Sequence, residues 1–314
     1  MSDTLFFQFA RYSQLPLILF GTIGAILNQI LFFYRKPLRK SSCSLYFRVL
    51  SVNDLLVLYT VVLPLWLSNQ FQIDFSQKYN WFCKVKTYFS DSLYTLSPYL
   101  IVLACFDRLC TSSTNVHLRK FATIRYATYL IPSMIVLIFV SYSHVLIWYQ
   151  LVPYQSIRIC AAPNPIYSKF VAFFILLFLS TVPPVLMVIL CSVTIILRRR
   201  QRRRIMPINR TRSRQRDNQL LKMLFIYVAL HVICNAPFAV TYVMLMLEQP
   251  RYVLEHVVLF RLFALLLNMN FATSFYTYTL ATPFYRHELY NLMLDLKTKF
   301  QQIHPMQTVR RTTY

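Results

Sequence analysis

Ser97-Pro98-Tyr99-Leu100-Ile101-Val102-Leu103-Ala104-Cys105-Phe106-Asp107-Arg108 is an almost wholly apolar run that ends on an acid and a base side by side. Polar Thr111, Ser112 and Ser113 follow, and Cys83 stands near the start of the same hydrophobic segment. With a rise of about 1.5 Å per residue, a helix from Cys83 to Arg108 is roughly 37 Å long, against about 30 Å for the hydrocarbon of a bilayer. One helix would therefore hold a cysteine at one face of a membrane and a buried-looking ion pair at the other. Such a segment suits a device that joins two compartments.

The rest of the chain has the same character. Of its 314 residues 57% are hydrophobic and 14% charged, with a mean hydropathy of +0.46, which is not the composition of a soluble domain. Seven runs approach the roughly 20 apolar residues that a spanning helix needs: Leu15 to Tyr34, Tyr46 to Leu67, Tyr88 to Cys110, Tyr126 to Trp148, Phe170 to Leu197, Leu220 to Leu247, and about His256 to Thr279. Arg261, Asn268 and Asn270 interrupt the last. The expected fold is all-α: a seven-transmembrane helix bundle with a short amphipathic cytoplasmic helix after helix seven. The domain reading is residues 1–14 as an extracellular amino terminus, 15–280 as the seven-transmembrane domain and 281–314 as a cytoplasmic helix and tail.

Orientation follows from where the cations lie. The first connection carries Arg35, Lys36, Arg39, Lys40 and Arg48, the third Arg119, Lys120 and Arg125, and the fifth a dense set from Arg198 to Lys222 with the single acid Asp217. By the positive-inside rule these connections face the cytoplasm and the amino terminus lies outside. The net charge of +23 is thus concentrated on one face, where topology and attraction to anionic lipid account for it. The run Arg198 to Arg204 resembles a nuclear localisation patch, but it abuts a spanning helix, so nucleic acid is not an expected partner. Charge after the first run rather than before it reads as an anchor with its amino terminus outside, not a cleavable signal. The sequon Asn209-Arg210-Thr211 falls on the cytoplasmic side, away from glycosylation.

Cysteines sort by compartment. Cys83 and Cys160 are the two expected outside, where an oxidising environment makes them a candidate disulfide. Cys43, Cys105, Cys110, Cys191 and Cys234 read as packing thiols, and no zinc-type spacing occurs.

Polar groups inside the spans are costly and mark function by default. Helix one holds the chain's two glycines, Gly21 and Gly24, which permit close helix contact, and then Asn28, for which Asp54 of helix two is the expected partner. Asp54, Ser97, Asn270 and Ser274 together would form an oxygen-rich cage for a small cation such as Na⁺, the one modulator expected in a chain with no other cofactor. Prolines at positions 64, 98, 132, 183, 184 and 237 break helical ladders and mark local bends. After helix seven, Phe284, Leu289, Leu292, Met293 and Leu296 share a face, as in a helix lying on the inner membrane surface. The end, Thr308 to Tyr314, reads as an unstructured tail and a candidate kinase substrate.

These residues together resemble the rhodopsin-like family of G-protein-coupled receptors. Asn28 is similar to the family's helix-one asparagine, Asp54 in Leu50-Ser51-Val52-Asn53-Asp54 to its helix-two aspartate, and Cys83 with Cys160 to its outer disulfide. Asp107-Arg108 resembles the helix-three acidic–basic signature, Pro237 in Cys234-Asn235-Ala236-Pro237 the helix-six proline, Tyr278 the tyrosine that closes the helix-seven motif, and Phe284 with Arg286 the start of the cytoplasmic helix. Departures are plain: Leu109 follows the arginine in place of an aromatic, Asn235 stands where a tryptophan is common, and Ser274-Phe275 replaces Asn-Pro. The pattern resembles a divergent invertebrate receptor of the neuropeptide type.

The resemblance implies a plasma-membrane receptor that binds an extracellular ligand and activates a heterotrimeric G protein, with Asp107, Arg108, Pro237 and Tyr278 as switch parts. Asp107 would hold Arg108 in the resting state and release it on activation. Ser90, Asp91, Tyr94, Asn235, Tyr242 and Arg261 are the candidate pocket residues. Helix seven has no lysine for a retinal Schiff base. Amine receptors of the family carry an aspartate at the position that Ser90 occupies here, beside Asp91, so an amine is not the favoured ligand. Aromatic and basic groups of the outer surface, among them Tyr79, Trp81, Lys84, Arg158 and Arg251, would suit a peptide. A chemosensory receptor for a small molecule and a seven-helix channel or transporter are the rival readings; the second predicts an internal repeat, which the sequence lacks. No hydrolase or phosphate-loop motif is present, so the chain does not read as an enzyme.

Overall fold

A computed structural model describes residues 2–39, 41–71, 74–154, 157–204, 211–247 and 250–303. The sequon at Asn209, the residues Glu248 and Gln249, and the tail from Thr308 to Tyr314 lie outside the described residues.

Helix α1 spans Ser2–Tyr34, starting ahead of the expected Leu15 because a helix outlasts the apolar part of its own sequence. Helix α2 runs through Ser42–Phe71, α3 is the unbroken Asn80–Ser112, and α4 occupies Ile124–Ser141 with one further turn at His144–Trp148. Helix α5 comprises Pro165–Ile175 and Val182–Arg204, α6 is Thr211–Leu247, and α7 comprises Pro250–Ala272 and Ser274–Ala281. Helix α8, Pro283–Ile303, follows directly. Six of these are long and apolar enough to cross a membrane. Among the described residues the seventh offers the shorter apolar stretch Leu259–Ala272. The molecule is a seven-helix membrane bundle.

Helix α3 is its axis. It packs on α2, α4, α5 and α6, and 83% of its apolar window is buried, against at most 44% in any other span. Its neighbours instead turn Val136, Leu137, Val140, Val185 and Ile189 outward, as a lipid-facing surface requires. Cys105 of α3 meets Cys191 of α5, Sγ to Sγ 3.6 Å, consistent with thiols used for packing.

Prolines deform the helices in a specific way. Residues Leu58–Val62, just ahead of Pro64, and Leu176–Thr181, just ahead of Pro183 and Pro184, are π-helical. A missing N–H removes one hydrogen bond of the ladder, and the wider turn takes up the mismatch. Helix α7 has no proline near Thr273 and breaks there nonetheless. There Thr273 and Thr277 donate their hydroxyls back to Met269 O and Thr273 O, 2.8 and 2.9 Å away, a bond that bends helices.

The glycines of α1 sit where α7 comes closest. A Cβ on Gly21 would lie 2.5 Å from Leu58 Cδ1 and 3.1 Å from Ala272 Cα, and one on Gly24 would lie 3.0 Å from Phe275 Cβ. Leu58 can turn aside, but the Ala272 backbone cannot. Gly21→Ala is therefore expected to lower stability by about 1–3 kcal/mol through overpacking, read as a drop in the thermal midpoint of the purified protein.

After α4 the chain forms a hairpin, β1 Gln150–Tyr154 paired antiparallel with β2 Ile157–Ala161, with Leu151 opposite Cys160. Cys160 is disulfide-bonded to Cys83 at the start of α3, and Asn80 accepts the Leu151 N–H at 3.0 Å. At this end Asp74 accepts from the Ser76 N–H and hydroxyl and from Gln77, and lies 3.7 Å from Lys86 Nζ. Burial alone would raise its pKa, but those hydrogen bonds and Lys86 together hold it below the usual carboxylate value. At the opposite end Arg35 pairs with Glu288 and Asp295 of α8 at 2.6 and 2.7 Å. Tyr285 and Leu292 bury against the bundle while Met293, expected on the same face, is 62% exposed.

Candidate functional site

Beneath the hairpin lies a cavity of about 330 Å³. Its wall from α3 is Asp91, Tyr94 and Thr95, from α4 and the hairpin Tyr142, Tyr149 and Cys160, and from α5 to α7 Leu179, Tyr242 and Leu267. Of the candidate pocket residues, Asp91, Tyr94 and Tyr242 face this space. Ser90, Asn235 and Arg261 are not among its lining residues. Ser90 is one helical step off the lining face, and Asn235 lies deeper.

The tyrosines are anchored. Tyr94 donates to Asn268 Oδ1 of α7 at 2.6 Å, and the Tyr142 hydroxyl is 2.7 Å from Thr95 Oγ1. They thus turn ring surface to the cavity and spend their hydroxyls on the protein.

Below the cavity a polar relay crosses three helices. Ser180 of α5 donates to Asn235 Oδ1 at 3.2 Å, Asn235 Nδ2 lies 3.1 Å from His231 Nε2, and His231 Nδ1 lies 3.3 Å from the Asn270 amide of α7. His231 is 1% exposed. A neutral imidazole has one N–H and one lone pair. Because Ser180 occupies the Asn235 oxygen, the Asn235 N–H faces Nε2, which must accept. Nδ1 faces Asn270 Nδ2, and Asn270 Oδ1 has no hydrogen-bond partner among the described residues. His231 had no signal in the sequence beyond its place seven residues after Leu224 on a buried stripe; its partners, four and 39 positions away, meet only in the packed bundle.

The polar core of α2 and α3 lies alongside. Asn53 donates to Ser97 Oγ at 2.7 Å and to Leu93 O at 2.9 Å, and Ser97 donates to Asp54 Oδ1 at 3.4 Å. Ser274 stands beside the same carboxyl group, whose Oδ2 has no hydrogen-bond partner among the described residues. Of the four residues of the expected cage, Asp54, Ser97 and Ser274 come together, whereas Asn270 is directed to His231. Asn28 does not reach Asp54 as expected: its oxygen accepts from the Tyr285 hydroxyl of α8, and its amide nitrogen has no partner among the described residues. The physical reason is depth, since Asn28 sits a helical turn or more nearer the basic end, level with the start of α8.

Towards that end the rings of Tyr227, Tyr278 and Tyr285 follow one another with centroids 5.7 and 6.1 Å apart. Pro237 lies inside α6, two residues after Asn235. Asp107 and Arg108 are buried, with Arg108 Nη2 3.1 Å from Asp107 Oδ2 and 3.4 Å from Ser41 Oγ at the cap of α2. Arg198 of α5 donates to Ser112 at 2.8 Å close by.

A membrane bundle with a cavity at its disulfide-bonded end, a buried ion pair at its basic end and polar contacts between them has the architecture of a transmembrane receptor. Over residues 25–273 the sequence matches the profile of the 7 transmembrane receptor (rhodopsin family), and the chain belongs to that family. No curated protein compared with it matches.

Proposed function

We propose that the chain is a multi-pass plasma-membrane receptor, amino terminus outside, that takes a peptide ligand at the cavity under the hairpin and activates a heterotrimeric G protein at the end bearing Arg108. The buried Asp107–Arg108 pair carries this reading. An ion pair withdrawn from water is a two-state element, stable while intact and costly once parted, and it stands beside the connections richest in arginine. Binding at the cavity would shift α5, α6 and α7 through the Ser180, Asn235, His231 and Asn270 contacts. The cavity's modest volume would admit one end or side chain of a peptide rather than its whole length, and it equally supports the rival reading of a small chemosensory ligand.

Asp54, Ser97 and Ser274 fit a Na⁺ ion, since one carboxylate oxygen is unsatisfied and two hydroxyls adjoin it. On that reading Asp54→Asn abolishes the sodium dependence of ligand affinity; affinity that stays equally sensitive to sodium counts against the site.

The deciding experiment expresses the chain with a promiscuous Gα and applies tissue-extract fractions before and after protease digestion. A second-messenger response lost on digestion supports a peptide, and one that survives supports a small molecule. Ionic current without any dependence on G protein would support the channel reading instead.

A further inference from the structure

Arg48 of α2 lies one helical turn before Val52, and it continues the stripe of Val52, Leu56 and Tyr59 that α2 turns outward. A cation on the lipid-facing side of a spanning helix is costly unless something receives its charge. Its place is shallow: from the start of α2 at Ser42 it is about 9 Å along the axis, close to the roughly 5–8 Å of one headgroup layer. The side chain is also held. Nη2 donates to Phe32 O in the last turn of α1 at 2.8 Å, the guanidinium carbon lies 5.8 Å from the centre of the Phe33 ring, and Gln29 of α1 donates to Arg48 O at 2.7 Å. Among the described residues Nε is buried with no partner, and no carboxylate pairs with Arg48. The described acids of this end are taken, Glu288 and Asp295 by Arg35, and Asp107 by Arg108. Arg39, exposed at the end of the turn Lys36–Arg39, is near enough to act on Arg48 as a like charge.

We propose that the seam between α1 and α2 at the basic end binds the phosphate of an anionic phospholipid, with Arg48 as its deeper partner and Arg39 as its outer one. Capping the carbonyl end of α1 accounts for one arm of the Arg48 fork only; it leaves the buried Nε and the charge itself unanswered. Two cations with no acid between them repel, and a phosphate set against both replaces that repulsion with attraction. The planar fork of arginine suits phosphate oxygens, and basic recesses between spanning helices at this leaflet are where anionic headgroups gather. The surroundings favour a lipid over a free anion. Phe33, 58% exposed, and Val52, 44% exposed, give the seam apolar surface along which acyl chains would lie, and a phosphate from water gains nothing from it. Such a site needs neither the ligand nor the G protein of the receptor reading.

The test purifies the full chain in detergent, offers it equimolar dioleoyl phosphatidylglycerol and dioleoyl phosphatidylcholine, and counts bound lipid by native mass spectrometry. Each nearby arginine favours an anionic lipid about fivefold, so phosphatidylglycerol is expected to be preferred about 25-fold. Arg48→Gln should lower that preference by about tenfold or more, since a charge-assisted hydrogen bond goes with the charge. Arg39→Gln leaves the contact with Phe32 intact, so it tests the site even if Arg48→Gln does not fold, and it should lower the preference about fivefold. Arg125→Gln removes an exposed cation at the start of α4 and should leave the preference within about twofold. Inorganic phosphate at millimolar concentration should not displace the lipid. Equal binding of the two lipids, a preference unchanged in Arg48→Gln or Arg39→Gln, or a loss in Arg125→Gln as large as in Arg39→Gln would overturn the proposal. Displacement by inorganic phosphate would assign the arginines to a free anion and overturn it as well.

Discussion

Membranes carrying Arg108→Ala are expected to show no ligand-evoked nucleotide exchange above mock membranes, with surface expression retained. Asp107→Asn should do the reverse and raise exchange without ligand. The reasoning lies in the geometry of the pair: Nη2 and Oδ2 are 3.1 Å apart and the side chains are 4% and 1% exposed. The amide introduced by Asp107→Asn keeps the shape of the carboxylate but not its charge, so it weakens the resting state only. If the pair biases the resting state by about 1–3 kcal/mol, its loss raises the active fraction by about 5–150-fold. Arg108→Ala instead removes the group proposed to meet the G protein and leaves Asp107 buried without a counter-ion, a cost of about 3–5 kcal/mol. Arg108→Lys separates the two effects, because it keeps the charge but not the planar fork. Exchange retained in Arg108→Ala would remove the residue from the coupling role.

His231→Leu is expected to cost about 2–6 kcal/mol, because two buried amides each lose a partner at about 1–3 kcal/mol apiece. Asn235 and Asn270 have nowhere else to turn, being 1% and 0% exposed. A large fall in thermal midpoint should follow, together with loss of the ligand response, since α6 and α7 are joined at this level through the ring. His231→Gln offers one donor and one acceptor and should recover part of both. A coupling energy near zero in the double-mutant cycle of His231 with Asn270 would sink the idea of a relay.

Helix three shows how much of the architecture was legible beforehand. Its apolar length, the cysteine at one end and the Asp107–Arg108 pair at the other are properties of one continuous segment, and the helix Asn80–Ser112 carries both. The disulfide of Cys83 with Cys160 was legible for a similar reason, as only those two cysteines fell at that end. The hairpin carrying Cys160 was not foreseen, since two five-residue strands, one with Pro153, give a weak strand signal. Asn28 was matched with the wrong group because depth along a helix was judged without knowing that α8 folds back to offer Tyr285. The break in α7 at Thr273 was hidden because no proline lies near it; hydroxyl back-bonding, which any helix surface can conceal, produces it.

The sequence by itself determined the helical class, the number of spans and the residues that set this family apart, because hydrophobic length and charge placement act within single segments. Only the tertiary structure decided that Asp91 lines a cavity, that His231 joins Asn235 to Asn270, and that Asn28 meets α8. Those facts depend on the rotation and depth of each helix against its neighbours. Side-chain packing between segments far apart in the chain sets both, and no local pattern encodes them.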